Sequence, residues 1–327
     1  MSGAGAVAAD GARVYVISDL LRTAGRRHGA THGGRDSMTS QVKNAPAVIH
    51  GYGEIMEIQV PPRIGPLLRS WRRRRKLSQL DLALRADSST RHLSCVETGR
   101  ARPSRELVLR LAEHLDIPLR DRNGLLLAAG YAPAYRESPF DSDRMAMVRS
   151  AIRAMLAGHE PYPAAAIDRI WNIVDRNDAM SLLLGAVPPR LTESGGNVMR
   201  LILHPEGLAS QCLNFAQVRA HALGRLRHQV DTTGHDDLRE LYEEVSAYPV
   251  PAGLDADPGP VDPAGIVVPL RIRTPLGDMA FFSTIATFGA PADVTLSELA
   301  VESFFPMDEQ TDTLMRTLAA PGGGGGQ

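Results

Sequence analysis

The 327-residue chain has few cysteines, no long apolar run and no recognisable secretion signal. Two cysteines, Cys95 and Cys212, are too few for a disulfide framework or a four-ligand zinc site. No run of about 18 apolar residues occurs, and the first twenty residues lack a basic flank followed by a hydrophobic core. These absences predict a protein of the reducing cytoplasm that does not associate with membranes.

The motifs of common enzyme classes are also missing. The sequence contains no Gly-rich phosphate loop, no G-x-S-x-G elbow and no HExxH, and its histidines do not show metal-binding spacing. Asp168 and Asp175 fit turn positions better than an acid–base pair. We therefore expect no catalytic residue, no metal and no cofactor, apart from the apolar ligand considered below.

The net charge of -1 hides a strong asymmetry along the chain. Residues 61–120 hold 14 Lys plus Arg against 6 Asp plus Glu, whereas residues 231–320 hold 4 basic and 16 acidic side chains. The first segment suits a polyanionic partner, and the second would be repelled by one.

Composition and prolines divide the chain into segments. Pro133 and Pro139 each bias the preceding residue away from helix, which places a boundary there. The Gly-, Ala- and Ser-rich start reads as a disordered arm, and Met38 or Met56 could serve as an internal start. The predicted segments are an arm at 1–58, a helical segment at 63–131, a mixed segment at 140–318 and a flexible tail at 319–327.

Caps and apolar spacing predict five short helices in the basic segment. Ser78, Ser89 and Ser104 are each placed to cap a helix, and Gly99 and Gly130 to end one. The predicted spans are Ile64 to Arg74, a helix opening at Ser78 with Leu80, Leu82 and Leu84 as its apolar side, Ser89 to Thr98, a helix opening at Ser104, and Arg120 to Ala129.

Two helices joined by a short turn, the second polar at its start, form the layout of a helix-turn-helix. Gln79 begins the first helix of the pair, where its amide can bond a phosphate. Arg91 is best suited to a bidentate contact with guanine. The predicted DNA-binding residues are Gln79, Ser89, Thr90, Arg91, His92, Ser94 and Arg100. The run Arg72 to Lys76 is left open between phosphate contact and a solvated face.

The tracts Leu77-Ser78-Gln79, Leu93-Ser94, Glu97-Thr98-Gly99-Arg100 and Pro103-Ser104 resemble the lambda-repressor-like (XRE) DNA-binding domain. The resemblance covers about 60 residues. It departs at the turn after the second helix, where the family usually offers Gly and this chain has Asp87. It implies that Arg72 pairs with Glu97 inside the domain, as a structural pair.

The mixed segment begins with a helix, Ser142 to Leu156, whose apolar stripe suits a domain or subunit contact. A strand follows at Pro163 to Asp168, then a turn, a strand at Ile173 to Asp175 and a helix opened by Asn177, an order typical of PAS-like sensors. Further helices and a hairpin complete it. The predicted further elements are helices Val198 to Leu203, Gln217 to Gln229 and Asp237 to Ala247, and strands Ile266 to Arg273 and Met279 to Phe288.

This order resembles the MmyB-like ligand-binding domain that follows such helix-turn-helix domains in bacterial regulators. The resemblance rests on Leu125 to Pro133, Pro163 to Asn177 and Asn197-Val198-Met199-Arg200, and it implies a PAS-like α+β fold that holds a fatty-acid-like ligand. A sheet with helices on one face can enclose a cavity for such a ligand. The predicted ligand-binding residues are Trp171, Met199, Phe215, Phe281 and Phe282 as apolar walls, each also readable as filled core, and Arg200 for an acidic end, also readable as a structural salt bridge.

Together these features predict a sequence-specific regulator of transcription that binds double-stranded DNA as a homodimer and is tuned by a small apolar ligand. Its fold class would be a mainly α helix-turn-helix domain of five helices followed by an α+β PAS-like domain. The rival is a protein-binding, antitoxin-like module whose basic domain contacts an acidic partner.

Overall fold

The computed structural model describes residues 14–16, 56–58, 63–255, 257–259 and 267–319. The chain divides into two compact units, residues 1–63 and 64–327. In the first unit, strands β1 (Val14–Val16) and β2 (Met56–Ile58) pair antiparallel. The remainder of the predicted arm at 1–58, and residues 320–327 of the predicted tail, lie outside the described residues.

Five helices form the start of the second unit, as predicted. Leu68, Leu82, Leu93, Leu111 and Leu126 are among the residues of their shared core. The helices are α1 (Ile64–Arg74), α2 (Gln79–Arg85), α3 (Thr90–Glu97), α4 (Arg105–His114) and α5 (Leu119–Ala128).

Side-chain caps fix where these helices begin. Ser78 and Asp81 form a reciprocal capping box at the start of α2, and the hydroxyls of Ser89 and Ser104 accept the amides of His92 and Leu107. The apolar side predicted for α2 was wrong in part. Leu82 is buried, but Leu80 and Leu84 are 56% and 70% exposed, because residues two apart on a helix point to nearly opposite faces.

The turn between α2 and α3 is made without glycine. Asp87 takes a left-handed backbone conformation, with φ at 47°, which Asp tolerates better than most residues. The departure from the family pattern at this position therefore leaves the helix-turn-helix turn intact.

A close approach of α1 to the end of α3 sets the geometry of the head, the five-helix segment 64–128. A Cβ added to Gly65 would lie 2.6 Å from the carbonyl oxygen of Glu97, so only glycine fits there. Arg72 Nε and Nη2 donate to Glu97 Oε1 and Oε2 at 2.7 and 2.9 Å. The Glu97 side chain is fully buried. The structure thus brings together the two residues expected to pair.

The remainder of the second unit is an α+β domain, as predicted. None of the helices in the described ranges is both long and apolar enough to cross a membrane. The domain contains helices α6 (Ala146–Gly158), α7 (Asp178–Leu183), α8 (Pro189–Thr192), α9 (Val198–Leu203), α10 (Phe215–Thr233), α11 (Asp236–Ser246), α12 (Val294–Ser297) and α13 (Glu309–Ala319), and strands β3 (Ala164–Ile167), β4 (Ile173–Arg176), β5 (Leu270–Thr274), β6 (Gly277–Thr287) and β7 (Ala300–Pro306).

The five strands form one antiparallel sheet in the order β4-β3-β7-β6-β5. Strand β7 lies at its centre, with Ala165 opposite Glu302 on one side and Ile285 opposite Glu302 on the other. Sequence patterning did not predict β7 or α13. The hairpin β5–β6 and the pair β3–β4 were predicted, with boundaries shifted by a few residues.

Both faces of the sheet are covered. On one face, Ala165, Ile167, Ile272, Phe281 and Phe304 join the main core with α9, α10 and α11. On the other face, Ala164, Ala166 and Val301 pack against Met145, Ile152 and Leu156 at and within α6. The apolar stripe of α6, expected to suit a domain or subunit contact, thus packs on the second face of this sheet, with Met155 left 45% exposed.

The Glu97 contacts give a test of the head. Burial acts to raise the pKa of Glu97, but the hydrogen bonds from Arg72 and Gln79 and the charges of Arg72 and Arg69 outweigh it, so the pKa lies below its usual value. Glu97→Gln should lower the free energy of unfolding by about 3 kcal/mol, because Arg72 is left without its carboxylate. Arg72→Met should cost less, since Arg69 and Gln79 still donate to Glu97.

Chemical denaturation of the full chain measures both effects, with the exposed Arg153→Gln as the control that should change little. A lowered pKa in the folded state means that this stabilisation is complete above about pH 4.3 and is lost as the pH falls through the folded pKa. Glu97→Gln should therefore flatten the loss of stability below that pH. Equal acid sensitivity of the two proteins would contradict the role of Glu97.

Candidate functional site

The start of α3 presents its polar side chains to solvent. Ser89 caps the helix, and Arg91 and Arg100 are exposed, whereas Thr90, His92 and Ser94 are half-buried. Leu93, Val96 and Glu97 lie on the opposite, buried side of α3. Thr90, Arg91, His92 and Ser94 therefore lie on the side of α3 away from the core, whereas Arg100 lies beyond the end of the helix.

Gln79 has a different neighbour from the one expected. Its Nε2 donates to Glu97 Oε2 at 2.8 Å, inside the domain. The amide retains a second N–H and its oxygen, so a phosphate contact stays a prediction. The Glu97 carboxylate consequently orients Gln79 at the first turn of α2, which fixes where any such contact can be made.

In the basic run Arg72 to Lys76, some side chains are exposed to solvent and others make a contact between the two domains. Arg73 and Lys76 are exposed. Arg75 donates to the carbonyl oxygens of Leu115, Asp116 and Thr232. The guanidinium of Arg75 is therefore occupied within the protein, which the sequence pattern did not reveal.

Arg74, the last residue of α1, and Arg75, which follows it, cap the C-terminal end of α10. Arg74 Nη1 donates to the Thr233 carbonyl at 2.8 Å, and Arg75 Nη1 donates to the Thr232 carbonyl at 3.2 Å. Gly234 ends α10 in a left-handed conformation. Cations at a helix C-terminus satisfy free carbonyls and oppose the partial negative charge there. The head and the sensor, the α+β segment from α6 to α13, are thus joined at this helix end.

Charged pairs extend this contact. His235 Nε2 lies 3.0 Å from both carboxylate oxygens of Asp121 on α5. Arg120 donates to Glu298 at 2.7 and 2.9 Å. The hydrogen bonds that Arg120 donates to Glu298 and Glu137 raise the pKa of Arg120, against the effect of burial. Neither contact was predicted, because each joins residues more than 100 positions apart.

A small apolar pocket lies between the sheet and the helices. It has a volume of about 30 Å³, room for a few non-hydrogen atoms. Glu302, on the central strand, is the single charged residue among those that line it. The lining residues are Ala165, Ile173, Met180, Leu183, Leu184, Val198, Leu201, Ile202, Leu208, Leu270, Glu302 and Phe304.

The six residues predicted to bind the ligand do not line this pocket. Trp171, Met199, Phe215 and Phe281 are at most 3% exposed and belong to the main core. Phe282 faces the other side of the sheet and stacks on Phe305, with ring centroids 5.3 Å apart. Large side chains fill the core volume, and the space that remains lies beside small ones such as Ala165.

Arg200 is engaged in a salt bridge. Its Nε and Nη2 donate to the two oxygens of Glu244 at 2.8 and 2.7 Å. This pairing raises the pKa of Arg200 against the effect of burial. Arg200 therefore pairs with Glu244 and is not among the residues that line the pocket.

Trp171 is held in a strained position next to the pocket. Its φ is 70°, a left-handed value that a bulky residue rarely adopts. Its Nε1 donates to Gln229 of α10 at 2.8 Å, and its carbonyl accepts from the amide of Val198. Arg225 lies over its ring at 4.5 Å. Trp171 thus connects a pocket-lining residue to the last turns of α10.

Two family descriptions match the chain, one to each part of the second unit. Residues 148–318, just over half of the chain, match the MmyB-like transcription regulator ligand binding domain. Residues 68–121 match a helix-turn-helix. The chain belongs to the family of MmyB-like transcription regulators, and it is a DNA-binding regulator of the helix-turn-helix class.

No curated protein matches the chain. Among solved structures, a similar chain is described as an RNA-binding light-oxygen-voltage receptor, at 12% identity and a TM-score of 0.23 over 79% of this chain. The alignment spans 62% of the length of that receptor. A likeness this weak carries no argument about fold or function.

The exposed face of α3 leads to a prediction about base reading. Arg91→Ala should weaken binding to the preferred DNA site by about 1 to 3 kcal/mol and relax the preference at one base pair, while non-specific binding hardly changes. Arg100→Ala is the matched control, because a phosphate contact would weaken all sequences alike. Gel-shift titrations on matched and single-substituted duplexes measure this. Uniform weakening by Arg91→Ala would show that Arg91 does not read a base.

Proposed function

We propose that this regulator binds a two-fold DNA site as a homodimer and that a small apolar ligand in the sensor tunes this binding. The observation that carries the proposal is the direct capping of α10 by Arg74 and Arg75 of the head. A ligand in the sensor can change DNA affinity only if it prefers one arrangement of the two domains. The capped helix end is a physical contact through which such a preference can act.

The route from pocket to head is short. Val198 lines the pocket and donates its amide to Trp171, and Trp171 donates to Gln229 in the last turns of α10. The carbonyls that accept from Arg75 and Arg74, those of Thr232 and Thr233, lie three and four residues beyond Gln229. A shift of the pocket wall would therefore displace the helix end on which the head rests.

A rival function is protein binding by the basic head without ligand-controlled transcription. Selection of duplexes from a random library by the full-length protein separates the two. We expect a defined site that is retained at moderate salt, because base contacts add affinity that does not fade with counterion release. Binding that disappears steeply with salt for every duplex would favour an acidic protein partner instead.

The dimer is tested by footprinting on the selected site. One head buries too little surface for useful affinity, so protection should cover two half-sites about one helical turn apart. The protein alone should sediment as a dimer at the same concentrations. Protection of a single half-site at saturation would overturn the two-fold arrangement.

The domain contact predicts an effect on the spacing of the two heads. Asp121→Asn removes the charge that faces His235, so it should loosen the head and lower affinity for the two-fold site by about 5-fold or more. Binding to an isolated half-site should hardly change, since α3 is untouched. The control is Arg239→Gln, which breaks an exposed pair with Asp236 within the sensor. A loss on the isolated half-site equal to that on the two-fold site would argue against the coupling.

A further inference from the structure

Helix α6 has a second apolar face, which points away from the sheet. Ile152 and Leu156 on its inner side are buried against the sheet. On its outer side, Met147 is 81% exposed and Met155 is 45% exposed, and the exposed Ala151 lies midway between them. Residues four apart share one face of a helix, so the two methionines and this alanine form a continuous stripe. Among the large apolar residues that the structure describes, Met147 is the most exposed.

The stripe has the composition of a helix-packing surface. Ala154 and Gly158 lie beside it and are exposed. Small side chains let two helices approach to the short end of the usual range of about 8 to 10 Å between axes, and methionine fills the irregular gaps that remain. A single apolar residue on a surface is ordinary, but a continuous apolar row marks a contact with another protein surface.

The stripe is complementary to itself when a second copy of α6 lies antiparallel. With a two-fold axis at Ala151, Met147 of one copy meets Met155 of the other, and Arg144 meets Gly158. Arg144 is exposed and makes no ion pair or side-chain hydrogen bond among the described residues. In this arrangement it would lie at the C-terminal end of the other α6, where the partial negative charge of the helix attracts a cation. A parallel pair would instead place the two Arg144 side chains together, so the charge pattern favours the antiparallel pair.

Apolar surface continues beyond the end of α6. His159, in the turn after the helix, contacts the edge of the Phe305 ring with centroids 4.8 Å apart, and Phe305 stacks on Phe282. Phe305 lies four residues from Val301 on β7 and so on the face of the sheet that α6 covers, and both rings are half-buried. A stable dimer buries about 800 Å² per partner. A helix face about 20 Å long and 10 Å wide is smaller than that, so the two rings supply further apolar area next to the stripe.

We infer that two copies of this chain meet through antiparallel packing of their α6 helices, centred on Ala151. This inference rests on the proposed function, since it names the surface that forms the homodimer. The α6 pair would hold the two heads at a defined separation, because Arg74 and Arg75 join each head to its own sensor. A two-fold DNA site requires such a separation.

Disulfide trapping in the full chain tests the orientation of the two helices. Ala151→Cys should form a covalent dimer under mild oxidation, because the two thiols meet at the two-fold axis within the Cα separation of about 4.4 to 6.8 Å that a disulfide needs. Met147→Cys and Met155→Cys should each cross-link poorly alone and well when the two variants are mixed and exchanged. The controls are the wild type, with its two native cysteines, and Arg153→Cys, which is exposed on another side of α6. Self-cross-linking at all three stripe positions would indicate a parallel pair and contradict the inference, as would cross-linking at none.

Sedimentation equilibrium of the full chain measures the strength of the contact. Met147→Glu should weaken self-association about tenfold or more, because it places an unpaired charge against Met155 of the other copy. Adding Met155→Lys should restore most of the loss, since each glutamate then faces a lysine only in the antiparallel pair. Leu182→Glu, at an exposed position of α7, is the control and should change nothing. Equal association of the wild type and Met147→Glu would overturn the inference, and so would a monomeric wild type, since another partner would then cover the stripe.

Footprinting of the same variants on the selected DNA site keeps the two proposals apart. Met147→Glu should lower affinity for the two-fold site about tenfold or more and spare an isolated half-site, because α3 is untouched and only the link between the heads is lost. If the wild type protects both half-sites and no α6 variant changes this, the interface is wrong and the proposed function stands. If the wild type protects a single half-site at saturation while Ala151→Cys still cross-links, the two-fold DNA arrangement fails and the α6 contact stands.

Discussion

The sensor depends on the pairing of β7 between β3 and β6. Without this strand the sheet would be two separate hairpins, β3–β4 and β5–β6, each with an open edge. Two-stranded hairpins are marginally stable alone. Strand β7 also supplies an apolar residue to each face, Phe304 to the main core and Val301 to the α6 side. One strand near the end of the chain therefore holds both layers of helices on the sheet.

Two buried glutamates show how differently the same group can be used. Glu97 receives Arg72, Arg69 and Gln79, and these contacts join α1, α2 and α3 into one rigid head. Glu302 has one hydroxyl donor on one oxygen. A fully partnered buried carboxylate fixes a geometry, whereas a partly partnered one costs free energy of folding. Glu97 lies inside the head, behind the face of α3 that is predicted to contact DNA, and Glu302 is among the residues that line the pocket.

The head was predictable from local signals, and the pocket was not. Serine caps and 3.6-residue periodicity locate the five helices because these interactions act within a few residues. The error at Leu80 and Leu84 arose where alternation was read as a helical face. Strand β7 was not predicted because Glu302 interrupts the apolar alternation of Ala300 and Phe304 on its inner face. An acidic residue inside an apolar run is itself a signal that the position is unusual.

The pocket depends on the volume that the packed side chains leave unfilled. The domain contact depends on residues that are distant in sequence. Inward-facing aromatic residues were identifiable from the sequence, but their pattern does not indicate whether they fill the core or line a cavity. The cavity lies beside Ala165, where side chains are small. The capping of α10 by Arg74 and Arg75 joins positions about 160 apart, and a run of arginines gives no indication of which ones find such partners.

The position of β7 has a consequence for synthesis of the protein. At about 5 to 20 residues per second, the head would leave the ribosome roughly ten seconds or more before β7 is made. During that interval all residues of the helix-turn-helix have been synthesised, whereas the sheet still lacks its central strand, β7. A nascent or prematurely terminated chain therefore carries a complete DNA-reading helix before it has a sensor sheet, so the order of domains along the gene makes the part without a means of responding to a signal the first to exist.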